Sequence, residues 1–238
     1  MLQTIQMQHI CSATWSVKHM SLSLRRSLSW TLLGREQSEF KELSVHAPPC
    51  SRIVEHSFAR ATVLFIDIQS FTASCNLLGV EKTGTWVQTF YDIVSDQCAI
   101  HDALMVEHRG DCCVCATRGP RQATHMLALC CDLHARLHPT HTVRMGISTG
   151  AVNFLKGPQL LCVYGPVSQV AEALQALTVP GVVLVHWPTV VQWRSESPLQ
   201  RMAGMTRLVR LPQKEAVQVA DFQLQCGTFA TRRSLSWS

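Results

Sequence analysis

Two rhythms of hydrophobic and polar positions alternate between residues 61 and 222. Ala61–Thr72, ATVLFIDIQSFT, is a run of β-formers (Thr62, Val63, Leu64, Phe65, Ile66, Ile68) that carries one carboxylate, Asp67, at its C-terminal end. Thr83–Asp102 then takes helical spacing, with Trp86, Phe90, Ile93 and Val94 on one side. The short apolar runs Ala103–Val106 and Cys112–Ala116 flank Glu107–Asp111, EHRGD, and predict a hairpin, because Gly110 tolerates the positive φ of a tight turn. Pro120 opens a second helix, Arg121–Leu137, whose apolar side is Met126, Leu127, Leu129, Cys130 and Leu133 and which Pro139 stops. Val143–Ser148 predicts a strand turned at Thr149-Gly150 into Ala151–Leu155. Pro166–Leu177 is an Ala-rich helix, Pro180-Gly181 a turn and Val182–Val185 a strand. Arg207–Leu211 and Ala216–Phe222 form a final pair.

The core order β-α-β-β-α-β predicts an α+β fold, an α/β sandwich built on a ferredoxin-like βαββαβ unit. In that arrangement the first and third strands are central antiparallel neighbours. Asp67, at the end of one, would then face Asp111, at the start of the other. Two carboxylates on a rigid sheet are the smallest protein contribution to a magnesium–triphosphate site, since magnesium keeps its waters and takes further oxygens from phosphate.

Composition narrows the class. Of 238 residues 47% are apolar and 16% charged, which excludes a wholly disordered chain. A net charge of +5 suits an anionic ligand, but no dense Lys/Arg stripe marks a nucleic-acid partner. No apolar run reaches the ~18 residues of a transmembrane segment. The eleven cysteines fall in clusters such as Cys112-Cys113-x-Cys115 and Cys130-Cys131 rather than in an even framework, as reduced small hydrophobes of a cytoplasmic protein would. Residues 1–58 differ in composition and read as a disordered or docking arm, 59–224 as the domain and 225–238 as a tail. The first 35 residues lack Asp and Glu and hold six serines, a composition that also resembles a mitochondrial transit peptide. Arg-Arg-Ser-Leu-Ser-Trp occurs at Arg25–Trp30 and again at Arg232–Trp237. Basic residues just before Ser27, Ser29, Ser234 and Ser236 are what a basophilic kinase or a phosphoserine-binding protein would read.

Several ordered stretches resemble the catalytic domain of the class III nucleotidyl cyclases, the adenylyl and guanylyl cyclases. Val63–Thr72 is similar to that family's opening strand and phosphate loop, and Val106–Asp111, VEHRGD, to its second metal motif, with the two aspartates 44 positions apart. Val143–Gly150, VRMGISTG, Leu161–Gly165, LCVYG, and Glu215–Val219, EAVQV, resemble later strands in consistent order. The resemblance implies that Asp67 and Asp111, helped by the Ile68 carbonyl, hold two Mg²⁺ or Mn²⁺ ions. It implies that Gln69, Ser70, Phe71 and Thr72 wrap the phosphates of a nucleoside triphosphate at a helix start. Glu107 and Cys162 occupy the base-reading positions, a pairing that resembles guanylyl cyclases. Guanine offers N1–H and N2–H₂ donors to a carboxylate, whereas adenine would leave Glu107 unpaired at a cost of about 1–3 kcal/mol.

The departures are as informative. Where the family's last catalytic helix carries an asparagine that orients the ribose and an arginine that stabilises the α-phosphate, this chain has Gln169 and Ala173. Pro166 replaces the usual acidic residue, and Arg210 and Lys214 are poor substitutes for the phosphate-binding lysine. In the family, sites form between two catalytic domains. The expectation is therefore the metal-binding half of a homo- or heterodimer that makes a 3′,5′-cyclic nucleotide from GTP in preference to ATP. The alternative is a pseudocyclase, a regulatory nucleotide-binding or dimerisation module. His134, His138 and His141, spaced around a helix end, are read as a solvated face rather than a zinc site.

Overall fold

The computed structural model describes residues 54–157, 161–197, 206–211 and 216–224 together with a two-residue strand, β1 (Lys41–Glu42). All of these fall in one compact unit, Ser38–Ser238. Its elements follow as β2 (Val54–Ile68), α1 (Phe71–Ile100), β3 (Leu104–Arg109), β4 (Cys112–Thr117), α2 (Gln122–Leu137) and β5 (Val143–Lys156). Then come β6 (Leu161–Tyr164), α3 (Pro166–Leu177), β7 (Val182–His186), α4 (Trp187–Glu196), β8 (Thr206–Arg210) and β9 (Ala216–Gln223). The sheet runs β3-β4-β2-β5-β7-β9-β8, with β1 paired to β2 and β6 to β5. Its first four strands have the ferredoxin-like order, and β2 lies antiparallel to both β4 and β5.

Alternation along β2 divides the molecule into layers. Leu64, Ile66 and Ile68 point to one face and join Phe90 and Val94 of α1, Met126, Leu129 and Leu133 of α2, and Val190 and Trp193 of α4. Ala61, Val63 and Phe65 point to the other, where they meet Val114, Val152 and, from α3, Val167 and Ala171. The period of two therefore directs Asp67 to the α3 side.

Four features differ from the sequence-based expectation. β2 starts at Val54, inside the stretch assigned to the arm. The first helix starts at Phe71 rather than Thr83 and is interrupted at Gly79 (φ 76°, ψ 170°). β5 passes straight through Thr149-Gly150 without turning. The glycines of β5 serve helix seating instead. A Cβ on Gly146 would stand 2.2 Å from the Gln175 nitrogen and 2.4 Å from the Ala171 oxygen, and one on Gly150 2.8 Å from Val167 Cγ2. The fourth is α4, absent from the expectation because only Thr189, Val190 and Trp193 are buried along it. α4 also completes α2. Arg121, the N-cap of α2, supplies no side-chain acceptor, and Glu196 takes hydrogen bonds from the Thr124 N–H at 2.8 Å and the Ala123 N–H at 3.3 Å.

Because backbone atoms, not side-chain tips, confront Gly146, α3 must move to admit any side chain. Gly146→Ala is expected to destabilise the domain by about 3 kcal/mol, read as a lower urea midpoint. A midpoint within error of wild type would show that α3 is not seated as described.

Candidate active site

Asp67 ends β2 directly opposite Cys112 of β4 and Arg144 of β5. Beside it the Ile68 N–H donates to the Asp111 carbonyl at 3.1 Å, so the two aspartates expected to meet do meet. Gly110 (φ 64°) makes the turn before Asp111, and the Tyr91 hydroxyl of α1 donates to the Gly110 carbonyl. Burial pushes the Asp111 carboxyl above its usual value, and the neighbouring Asp67 carboxylate adds to the shift, with Arg144 offsetting part of it. The same two carboxylates add to the burial that raises the Cys112 thiol to about 12, so it is protonated at neutral pH.

Asp67 is only 8% exposed, and its Oδ2 is already engaged. It accepts from Arg144 Nη2 and, at 3.0 Å, from Gln175 Nε2 of α3. Sequence reading overlooked both partners. Arg144 lies 77 positions from Asp67 and comes beside it only through the β2–β5 register; Gln175 arrives only because α3 sits against Gly146. The Arg144 Nε is buried and has no hydrogen-bond acceptor. Two converging carboxylates are the oxygen donors a divalent cation takes; Arg144 and Gln175, which share Asp67 Oδ2, compete with it for that oxygen. Among the described residues no group of three or more His, Cys, Asp or Glu comes together in a way that could hold a metal ion.

Of the four residues expected to wrap phosphate, Gln69 has its amide already committed. The Gln69 N–H donates to the Thr142 carbonyl at 2.8 Å, so Gln69 is tied to the start of β5 and is removed from the anion-binding set. Ser70 adopts the left-handed region (φ 58°) and caps α1 without a side-chain hydrogen bond. The first-turn N–H groups of Phe71, Thr72 and Ala73 have no acceptor within the helix, which is the geometry an anion uses. Phe71 stacks on Trp86 at 6.0 Å, and Trp86 on His141 at 4.8 Å.

His141 corrects the reading of the three histidines as a solvated face. It is 2% exposed, and its Nε2–H donates to the Trp86 carbonyl at 3.0 Å. Burial holds its pKa below 6.5, partly offset by that carbonyl. The folded state thus prefers a neutral ring, whose contribution is complete above about pH 6.5 and lost as pH falls through the lower folded value. The urea midpoint is expected to fall between about pH 7 and about pH 5, and less steeply in His141→Gln; equal slopes would remove His141 from the acid response.

The base-reading candidates lie on neighbouring elements, Glu107 in β3 and Cys162 in β6, and β3 lies against β6. Glu107 is not open-handed: Arg109 holds both of its oxygens, at 2.6 and 2.9 Å. Cys162 is half-buried, and its thiol is free, as are all the cysteines among the described residues. Gln169 is exposed on α3, one turn before Ala173, which is half-buried at the edge of the apolar cluster that α3 forms with β7, β8 and β9. Ser27, Ser29, Ser234 and Ser236 lie outside the described residues.

The family model for the adenylate and guanylate cyclase catalytic domain matches residues 53–201, more than half of the chain. The chain belongs to that family. The matched span runs from the residue before β2 to beyond α4 and so includes Asp67, Asp111, Glu107, Cys162 and α3. Solved cyclase domains share the fold. The guanylate cyclase domain of RhGC from Catenaria anguillulae in complex with GTP is 15% identical at a TM-score of 0.63, covering 71% of this chain and 98% of that one. The adenylyl cyclase CyaB from P. aeruginosa is 16% identical at 0.61, covering 76% and 99%. A non-canonical dimeric guanylyl cyclase domain from Blastocladiella emersonii is 16% identical at 0.60, covering 70% and 97%. No curated protein sequence matches the chain. Among the described residues of this cyclase domain, no helix is long and apolar enough to cross a membrane.

Proposed function

We propose that this cyclase-family domain converts a purine nucleoside triphosphate, GTP in preference to ATP, to a 3′,5′-cyclic nucleotide and pyrophosphate as the metal-binding half of a dimer. The observation that carries this reading is the convergence of Asp67 and Asp111. Asp67, Asp111 and the Ile68 carbonyl would hold Mg²⁺ or Mn²⁺, two ions in all, whose charge lowers the pKa of the ribose 3′-hydroxyl. The first-turn amides of α1 bind phosphate, and the Arg144 fork passes from Asp67 to a phosphate oxygen as the triphosphate enters. Glu107 and Cys162 read the base. The bond formed joins O3′ to the α-phosphorus, and the bond broken releases pyrophosphate. With Gln169 and Ala173 in place of asparagine and arginine, two copies of this chain make a poor site, and an unlike cyclase domain supplies what is missing. The repeated RRSLSW segments are proposed kinase or phosphoserine-binding targets, and the cytoplasm is the proposed compartment.

A second reading, a pseudocyclase that binds nucleotide or a partner without chemistry, draws support from the hold of Arg144 and Gln175 on Asp67 and from the apolar packing of Ala173. Cyclic GMP and cyclic AMP formation by the purified full chain with Mn²⁺, alone and mixed with a complementary cyclase domain, separates the two. Product only in the mixture supports the half-site; triphosphate binding with no product in any mixture supports the module.

A further inference from the structure

We propose that Gln175 of α3 gates the metal site: its amide competes with a divalent cation for Asp67 and so sets how tightly the domain takes that cation. The inference rests on the metal reading above. Asp67 Oδ2 accepts from Gln175 Nε2 at 3.0 Å and from Arg144 Nη2. Gln175 lies 108 positions from Asp67, and the two side chains meet where α3 packs on β2. Both residues are buried, at 7% and 8% exposure. A hydrogen bond from an amide to a carboxylate screened from water is strong, because its acceptor is charged. The helix is also fixed at this residue. A Cβ on Gly146 would stand 2.2 Å from the Gln175 nitrogen and 2.9 Å from its Cα, so β5 and α3 touch backbone to backbone there. The amide therefore leaves Asp67 by rotation of its own side chain, not by a drift of α3.

The buried face of α3 is otherwise Val167, Ser168, Val170, Ala171 and Leu174, and Gln175 is the one amide on it. Packing alone would be served by an apolar residue, since a buried amide costs free energy unless it is paired. Its pairing is with the carboxylate. Each oxygen of a carboxylate has two lone-pair sites, and Arg144 and Gln175 fill both of those on Oδ2. A cation that takes Oδ2 must displace one of them. The guanidinium is held by charge as well as by its hydrogen bond, whereas the amide is neutral, so the amide yields first.

The full chain is titrated with Mn²⁺ alone, the free ion being followed by electron paramagnetic resonance, as wild type, Gln175→Met and Gln175→Glu. Gln175→Met keeps the length of the side chain without the donor and should raise Mn²⁺ affinity by about tenfold, the scale of one hydrogen bond to a charged group. Gln175→Glu replaces the donor with a third carboxylate and should raise it at least as much; Gln175→Met carries the test if that variant fails to fold. A residue that merely supports the fold would lower the affinity or leave it alone, so a gain is specific to competition. The gain should vanish when Gln175→Met is combined with Asp67→Asn, because the two side chains act through one contact. Binding in Gln175→Met but not in wild type also supports the gate. Equal affinities in wild type and Gln175→Met would show that the cation enters by the other oxygen of Asp67, and weaker binding in Gln175→Met that the amide assists the metal. Either result, or a gain that persists with Asp67→Asn, overturns this proposal alone. No Mn²⁺ binding in wild type or in Gln175→Met defeats the metal reading and this one together.

Discussion

Asp67→Ala abolishes Mn²⁺-dependent triphosphate binding: that is the expected result, with a loss of at least about 100-fold. The carboxylate is one of the two that converge at the site, and its removal leaves Asp111 beside Arg144. The alanine also strands Arg144 and Gln175, which both donate to Asp67 Oδ2, and Arg144 Nε already lacks an acceptor. A further effect of about 1–3 kcal/mol on folding is therefore expected from the unpaired donors. Asp67→Asn separates the two effects, because it keeps an oxygen for Arg144 and removes the charge. It should retain most of the urea midpoint and lose the Mn²⁺ dependence measured by calorimetry with and without chelator. Metal-dependent binding that survives in both variants would take Asp67 out of the site.

Gln169→Asn combined with Ala173→Arg is expected to raise cyclic nucleotide formation by the chain alone by about 10³-fold, the scale on which a transition-state arginine acts in phosphoryl transfer. Ala173 is half-buried at the edge of the apolar cluster that holds Val170, Leu174 and Val219. The aliphatic stem of the new side chain can lie along that apolar surface while the guanidinium reaches water or the facing domain. Glutamine at position 169 is one methylene longer than asparagine and holds its amide displaced from where the ribose would be oriented. Neither change alone restores a site that needs both groups. If the double variant keeps its fold and yields no more product than wild type, the defect lies elsewhere, and the grip of Arg144 on Asp67 becomes the leading explanation.

How far the site was legible can be traced residue by residue. Asp67 could be placed at a strand end because five β-formers precede it, and Asp111 could be placed beside it because EHRGD between apolar runs makes a hairpin. Pro166–Leu177 was read to the residue, since an N-terminal proline and a clean apolar stripe mark both ends. The turn assigned to Thr149-Gly150 failed because glycine in a strand has two causes, a bend or a close neighbour, and only the position of α3 tells them apart. The Gln69 amide was assigned to phosphate because nothing in the local sequence reveals that Thr142 claims it.

By itself, then, the sequence determined most of the strands, that β2 and β4 are neighbours, and that two carboxylates end up together, because periodicity and turn chemistry are local and a one-residue slip of β2 would exchange the side chains of its two buried faces and carry Asp67 to the wrong one. The tertiary structure alone decided what those carboxylates touch. Arg144 reaches Asp67 through the β2–β5 register, Gln175 through a helix seated on a glycine, and His141 is buried by stacking on Trp86 from α1. Each joins segments distant in the chain, and such contacts are fixed by packing that no local pattern encodes.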